Sequence, residues 1–347
     1  MELALYDPLK FTRLGRQETA PKHCRLWWTG SGVSFTAACT RVEIEVEAFD
    51  SDHAVWLAVL AGGAMVARFP LNRGRQTYTA LAGMDPAFTH EISVVRDTQP
   101  LPDEKCPPVI HAVLSDGELK PSAPKRQLIE FLGDSLTVGE GCFGPRYAED
   151  WRMAWMGGVG AFPHRLSQML DAERRVIAMS GWGAWKSWDG DESHRIGLIY
   201  EQLCAPIAAG NVPYAFDGRP ADWVVINLGT NDSNAIKQES DPVSSAEAFT
   251  RRAYELIKTV RRHQQNAHIL WAYGLCGIDM EQYILKVVEK VKAEGDDKVG
   301  YIRLSDCNGD LGSRMHPSRG AHLRAAGEIC GYIRRVQGEN TAVEAEK

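Results

Sequence analysis

In the first third of the chain, apolar and polar positions alternate one by one. "RVEIEVEAF" (Arg41 to Phe49) puts Val42, Ile44 and Val46 on one face and Glu43, Glu45 and Glu47 on the other. A period of two marks an antiparallel strand with one face buried. "GVSFTAAC", "AVWLAVLAGG", "MVARFPL", "QTYTAL" and "HEISVVRD" extend the series, with Gly, Asn or Asp between them. Short strands punctuated by turn residues predict a β-sandwich or jelly roll over residues 1–120.

"DGELKPSAPK" (Asp116 to Lys125) is polar and proline-bearing, and reads as a linker. After it the pattern changes. "QLIEFLGDS", "RRVIAMSG", "DWVVINLGTND", "AHILWAYGL" and "VGYIRLSD" are short apolar runs of the buried-strand type. Helical spacing lies between them, clearest from Ser245 to His263, where Phe249, Ala253, Leu256, Ile257 and Val260 share a face. Ser244 and Glu247 form a capping-box pattern at its start. Further helices are expected at Glu281–Glu294 and Ala321–Val336. Alternating strands and helices predict an α/β unit over 126–338, built on a parallel sheet covered on both faces, with a tail at 339–347.

In such sheets the site lies at the carboxyl ends of the strands. Three of these strands end in "GDS" (with Ser135), "SGWG" (Ser180 to Gly183) and "LGTND" (Leu228 to Asp232), and "MHPSRGAH" (Met315 to His322) precedes the last helix. Each has a plain structural reading alone, as an Asx-capped turn, a tight turn or a packing histidine. Together they are chemically coherent. A serine needs a neighbouring base to become a nucleophile, and His316 supplies one. A tetrahedral intermediate needs donors aimed at its oxyanion; the Ser135 and Gly181 N–H groups and the Asn231 amide suit that task. Asp134 reads as a local turn residue.

Ser135, Gly181, Asn231 and His316 resemble the four blocks of the SGNH (GDSL-type) hydrolases, over residues 126–338. The resemblance implies a flavodoxin-like three-layer fold. A β-region ahead of "IEFLGDSLTVGEG", then "SGWG" and "VVINLGTND", is more narrowly similar to carbohydrate esterase family 2. Those enzymes pair a jelly roll with an SGNH domain and remove O-acetyl groups from plant polysaccharides. The likeness implies a carbohydrate acetylesterase acting without metal or other cofactor on xylan-, mannan- or glucan-derived chains. One departure stands out. SGNH enzymes carry an aspartate three residues before the histidine, where this chain has Ser313, and the family-2 Asp-Trp-His-Pro position is Arg314. The third member is therefore open: Asp310, Asp306 or the backbone carbonyl of Arg314, whose task is to orient the ring and hold its tautomer.

Tryptophans crowd the segments after the serine block. Flat indoles suit sugar faces, so Trp182, Trp185 and Trp188, with Asp232, are candidate substrate contacts; Trp151 and Trp155 read equally as core anchors. Of the adjacent Trp27 and Trp28 in "RLWWTGSG", a strand would display at most one. A net charge of −6 without a basic stripe argues against a nucleic-acid partner. No apolar run is long enough for a membrane helix, and the first residues lack a signal-peptide core, so a cytoplasmic location is expected unless a leader has been removed. Eight scattered cysteines, without paired spacing, read as reduced and buried. Acetylated oligosaccharide is the expected partner. The competing readings are a non-catalytic carbohydrate-binding protein, an acyltransferase and a short-chain aryl esterase.

Overall fold

The computed structural model describes residues 2–5, 10–18 and 23–338; the tail expected at 339–347 lies outside them. The N-terminal part forms two antiparallel sheets. One orders Glu2–Leu5, Val109–Ser115, Arg41–Ala48 and Gly74–Ala82. The other orders Lys120–Pro121, Gly32–Ala37, His90–Arg96, Trp56–Ala61 and Ala64–Pro70. In Arg41–Ala48 the valines and isoleucine are buried and the glutamates half-buried, following the sequence alternation. Phe35, Ile44, Leu57, Ile92 and Ile110 form the core between the sheets. Part of the segment read as linker is itself paired: Lys120 and Pro121 lie opposite Thr36 and Phe35. The proline sits at the sheet's edge, where a missing N–H is tolerated.

The remainder is an α/β unit. Its parallel sheet orders Ala172–Ala178, Gln127–Gly133, Trp223–Asn227, His268–Tyr273 and Val299–Arg303. Numbering these strands along the chain gives the doubly wound order 2-1-3-4-5. Alternate residues of each strand enter two cores, which is why the strands read as unbroken apolar runs. Leu128, Leu132 and Ile226 pack with Phe249 and Ile284 on one face. Ile129, Phe131 and Val225 pack with Phe162 and Ile329 on the other.

Helix Pro242–His263 starts earlier than its capping-box pattern predicts. Asp241 is the cap, accepting from the Ser244 N–H at 3.1 Å. Pro242 opens the first turn because its fixed φ suits that position. Ser244 is thus already inside the helix. The other two helices run Glu281–Ala293 and Arg319–Val336.

The two parts are bolted together by buried groups. Trp27 and Trp28 are not in a strand, and neither is displayed. Both pack into the core beside the parallel sheet, and Trp28 Nε1 donates to the Leu203 carbonyl at 2.7 Å. Apolar area decides their fate, since a buried indole removes more of it from water than any other side chain. Arg16 is buried too. Its guanidinium lies over the rings of Tyr200, Tyr214 and Phe216, 3.5 Å from buried Glu130 on the strand that leads to Ser135. Among the described residues no helix is long and apolar enough to cross a membrane.

Candidate active site

The sheet order reverses between Gln127–Gly133 and Trp223–Asn227, and a crevice opens beyond the carboxyl ends of such a pair. Ser135 follows the first strand and Asn231 follows the second. Asp134 caps the short helix Ser135–Val138, accepting from the Leu136 N–H at 3.0 Å. That leaves the Ser135 N–H among the first-turn donors with no partner inside the helix. Gly181 has φ +82°, and a Cβ there would stand 2.9 Å from the Trp188 ring. The turn before it is held from the N-terminal sheets: the Ser180 N–H donates to Gln99 Oε1 at 2.8 Å. Asn231 Nδ2 donates to Asp134 Oδ2 at 3.1 Å and to the Trp182 carbonyl at 2.9 Å.

His316 arrives on a strained loop. Arg314 and Met315 both have left-handed backbones, with φ of 54° and 57°. For non-glycine residues such conformations cost about 1–3 kcal/mol each. Anchors hold them: Arg314 N–H donates to Ala148 O at 2.7 Å, and Ser313 N–H to Gly141 O at 3.0 Å. Gly141 is obligatory for this approach, since a Cβ there would lie 2.3 Å from Ser313 O. The loop turns the Arg314 carbonyl to within 2.7 Å of His316 Nδ1. A carbonyl can only accept, so Nδ1 carries the proton and Nε2 keeps its lone pair.

Ser135, Gly181, Asn231 and His316 open onto one cavity of about 530 Å³. No direct hydrogen bond joins Ser135 and His316 among the described residues; without substrate such contacts are often loose. Neither candidate aspartate is bonded to His316. Asp310 accepts from Ser318 and Arg324, and Asp306 accepts from the Asn308 N–H.

The candidate substrate contacts divide. Trp188 is exposed and lines the cavity. Trp182 is half-buried and stacks on His194. Trp185 and Asp232 lie beneath the site, out of reach of a ligand. Asp232 is fully buried because three N–H groups, from Ala184, Trp185 and Lys186, converge on its carboxylate. It ties the "SGWG" loop to the "GTND" turn.

Burial pushes the Asp232 carboxyl up to about 6, against those N–H donors. Burial likewise pushes Asp134 up to about 7, with the charges of Asp232 and Glu140 adding to it. Behind the loop, His322 is wholly buried and held down to about 3 by desolvation. Gln99 and Glu140 are among the cavity residues that escaped the sequence reading. Gln99 comes from the loop after strand His90–Arg96, where no pattern marks it. Glu140 lies inside "GDSLTVGEG", and an acid among turn glycines was a usable signal. Six of the eight cysteines are buried.

Residues 131–327 match the GDSL-like Lipase/Acylhydrolase family, and the chain belongs to it. It is similar to the cellulase/esterase CelE of Acetivibrio thermocellus, 24% identical over 90% of this chain and 37% of that protein. It is also similar to an acetylxylan esterase/glucomannan deacetylase of Cellvibrio japonicus, 26% identical over 65% of this chain and 64% of the relative. The chain thus spans less than two thirds of either relative's length. Among solved structures, the acetyl xylan esterase Est2A of Butyrivibrio proteoclasticus superposes with a TM-score of 0.92, covering 98% of this chain and all of that one at 24% identity. A family two carbohydrate esterase from Clostridium thermocellum, in complex with cellohexaose, superposes with a TM-score of 0.83 over 95% of this chain and 100% of its own, at 23% identity. These likenesses establish the fold: an N-terminal pair of antiparallel sheets joined to a GDSL hydrolase unit.

Proposed function

We propose that this chain is a serine esterase that removes O-acetyl groups from xylan-, mannan- or glucan-derived oligosaccharides. The observation that carries the proposal is the His316 Nδ1–Arg314 carbonyl bond, because it leaves Nε2 basic in the cavity that holds Ser135. Ser135 Oγ attacks the acetyl carbonyl carbon while its proton passes to Nε2. The Ser135 and Gly181 N–H groups receive the oxyanion, and the Asn231 amide joins them by releasing one of the two bonds its Nδ2 makes to Asp134 and the Trp182 carbonyl. Collapse breaks the ester bond, and the departing sugar alkoxide takes the proton from Nε2. Water then attacks the acetyl-enzyme by the same route, giving acetate and free Ser135. Trp188, exposed on the cavity rim, offers its indole to a sugar ring.

The same reading makes residues 1–120 a jelly-roll accessory domain, 126–338 the catalytic domain and the Arg314 carbonyl the group that orients His316. The relatives' names, as an esterase and an acetylxylan esterase, support the substrate class. The test is acetate release from p-nitrophenyl acetate and acetylated xylo-oligosaccharides by the wild type and by Ser135→Ala. Ser135→Ala should lose all but a small residual activity from the remaining donors; equal rates for both proteins would refute the proposal.

A further inference from the structure

The two residues of the Arg314–Glu140 ion pair flank the imidazole of His316. Arg314 supplies the carbonyl at Nδ1, and its side-chain Nε donates to Glu140 Oε1 at 3.0 Å. The other oxygen of that carboxylate, Oε2, stands 3.9 Å from His316 Nε2. Glu140 is almost wholly buried, so its field is weakly screened, and it lies five residues after the serine in the same turn. At that distance the carboxylate stabilises an imidazolium relative to a neutral ring.

We infer that Glu140 is a positioning residue that supplies, from the serine turn, the negative charge which the missing aspartate before His316 would otherwise provide. The carbonyl of Arg314 sets the tautomer from the Nδ1 side, and Glu140 stabilises the developing positive charge from the Nε2 side. The ion pair also pins the Arg314 side chain, helping hold the left-handed backbone that aims the carbonyl. The inference rests on His316 being the base. The charged and titratable groups around the ring are Glu140, Arg314 and His322; the last is neutral at working pH, and Arg314 partly offsets Glu140.

The test is an NMR titration of the His316 imidazole, assigned with a His316→Gln sample, in the full chain and two variants. In Glu140→Gln, of nearly unchanged shape, the midpoint should fall by about one pH unit, as expected when an opposite charge within ~4–6 Å is removed. That is about a tenfold loss of imidazolium at a fixed pH. In Arg314→Gln, which keeps the backbone carbonyl but frees the carboxylate, the midpoint should rise. With p-nitrophenyl acetate, Glu140→Gln should lower kcat about tenfold with little change in KM, and its acid limb should move to lower pH. A merely structural role for Glu140 moves neither the midpoint nor the limb. Midpoints that stay put in both folded variants would overturn the inference. If the wild type released no acetate, the proposed function would fail, yet the two midpoints would still decide the role of Glu140.

Discussion

Gln99 offers the sharpest way to ask whether the N-terminal sheets belong to the active site. It is almost fully buried, lines the cavity that holds Ser135 and His316, and its Oε1 takes the Ser180 N–H at 2.8 Å. The residue is itself held rigidly. Arg96, also fully buried, donates to the carbonyls of Thr98 and Gln99 and forks onto Glu104. Gln99→Leu keeps the bulk but removes the acceptor. It removes the acceptor of the Ser180 N–H, a loss of about 1–3 kcal/mol, and frees the turn to rotate toward another partner. Rotation at Ser180 turns the neighbouring Gly181 N–H away from the oxyanion. Loss of a full oxyanion donor costs about 10²–10³ in kcat; a misaligned donor should cost about 10–100-fold. Steady-state hydrolysis of p-nitrophenyl acetate, with a thermal melt to show folding, measures this. The fall should be in kcat, with KM nearly unchanged. A folded Gln99→Leu variant with wild-type kcat would refute the reasoning and return the N-terminal sheets to a purely supporting role.

Other consequences follow from the buried charges and the rim. Arg16→Ala leaves Glu130 buried without its cation, so urea unfolding should show about 3–5 kcal/mol of lost stability, the usual cost of breaking a buried pair. His322, held down to about 3, is neutral when folded and charged when unfolded below about 6.5. Its unfolded form binds the extra proton, so stability falls as pH drops below that value, by about 1.4 kcal/mol per unit. His322→Leu should therefore flatten the acid side of the stability profile measured by thermal melts between pH 6.5 and 4.5. Asp134 works the other way: its carboxyl, up at about 7, holds a proton in the fold that the unfolded chain releases above about 4. Its contribution is present at low pH and is lost as pH rises toward 7, so Asp134→Asn should make stability less dependent on pH across that window. Trp188→Ala should raise KM for acetylated xylo-oligosaccharides about 3–10-fold, the scale of one aromatic contact, and leave p-nitrophenyl acetate unaffected.

Much of this protein follows from its sequence because the relevant physics is local. The alternation of Arg41–Ala48, the apolar run of Gln127–Gly133 and the helical face of Phe249, Leu256 and Val260 depend only on neighbours a few residues away. The order of turns at the strand ends was enough to indicate the family and to bring Ser135, Gly181, Asn231 and His316 into consideration together. Where the sequence reading stopped, long-range contacts were in charge. Ser313 and Arg314 made the orientation of His316 undecidable, because a main-chain carbonyl has no letter of its own. Its aim depends on two left-handed residues held by Gly141, Ala148 and Glu140, which lie far earlier in the chain. The same reason hid Gln99, delivered from another sheet, and buried Trp27, Trp28 and Trp185, whose apolar surface found partners the sequence does not place beside them. Sequence determined which groups are available at the strand ends; only the tertiary structure decided which of them face one another across the cavity, because that depends on how distant turns pack.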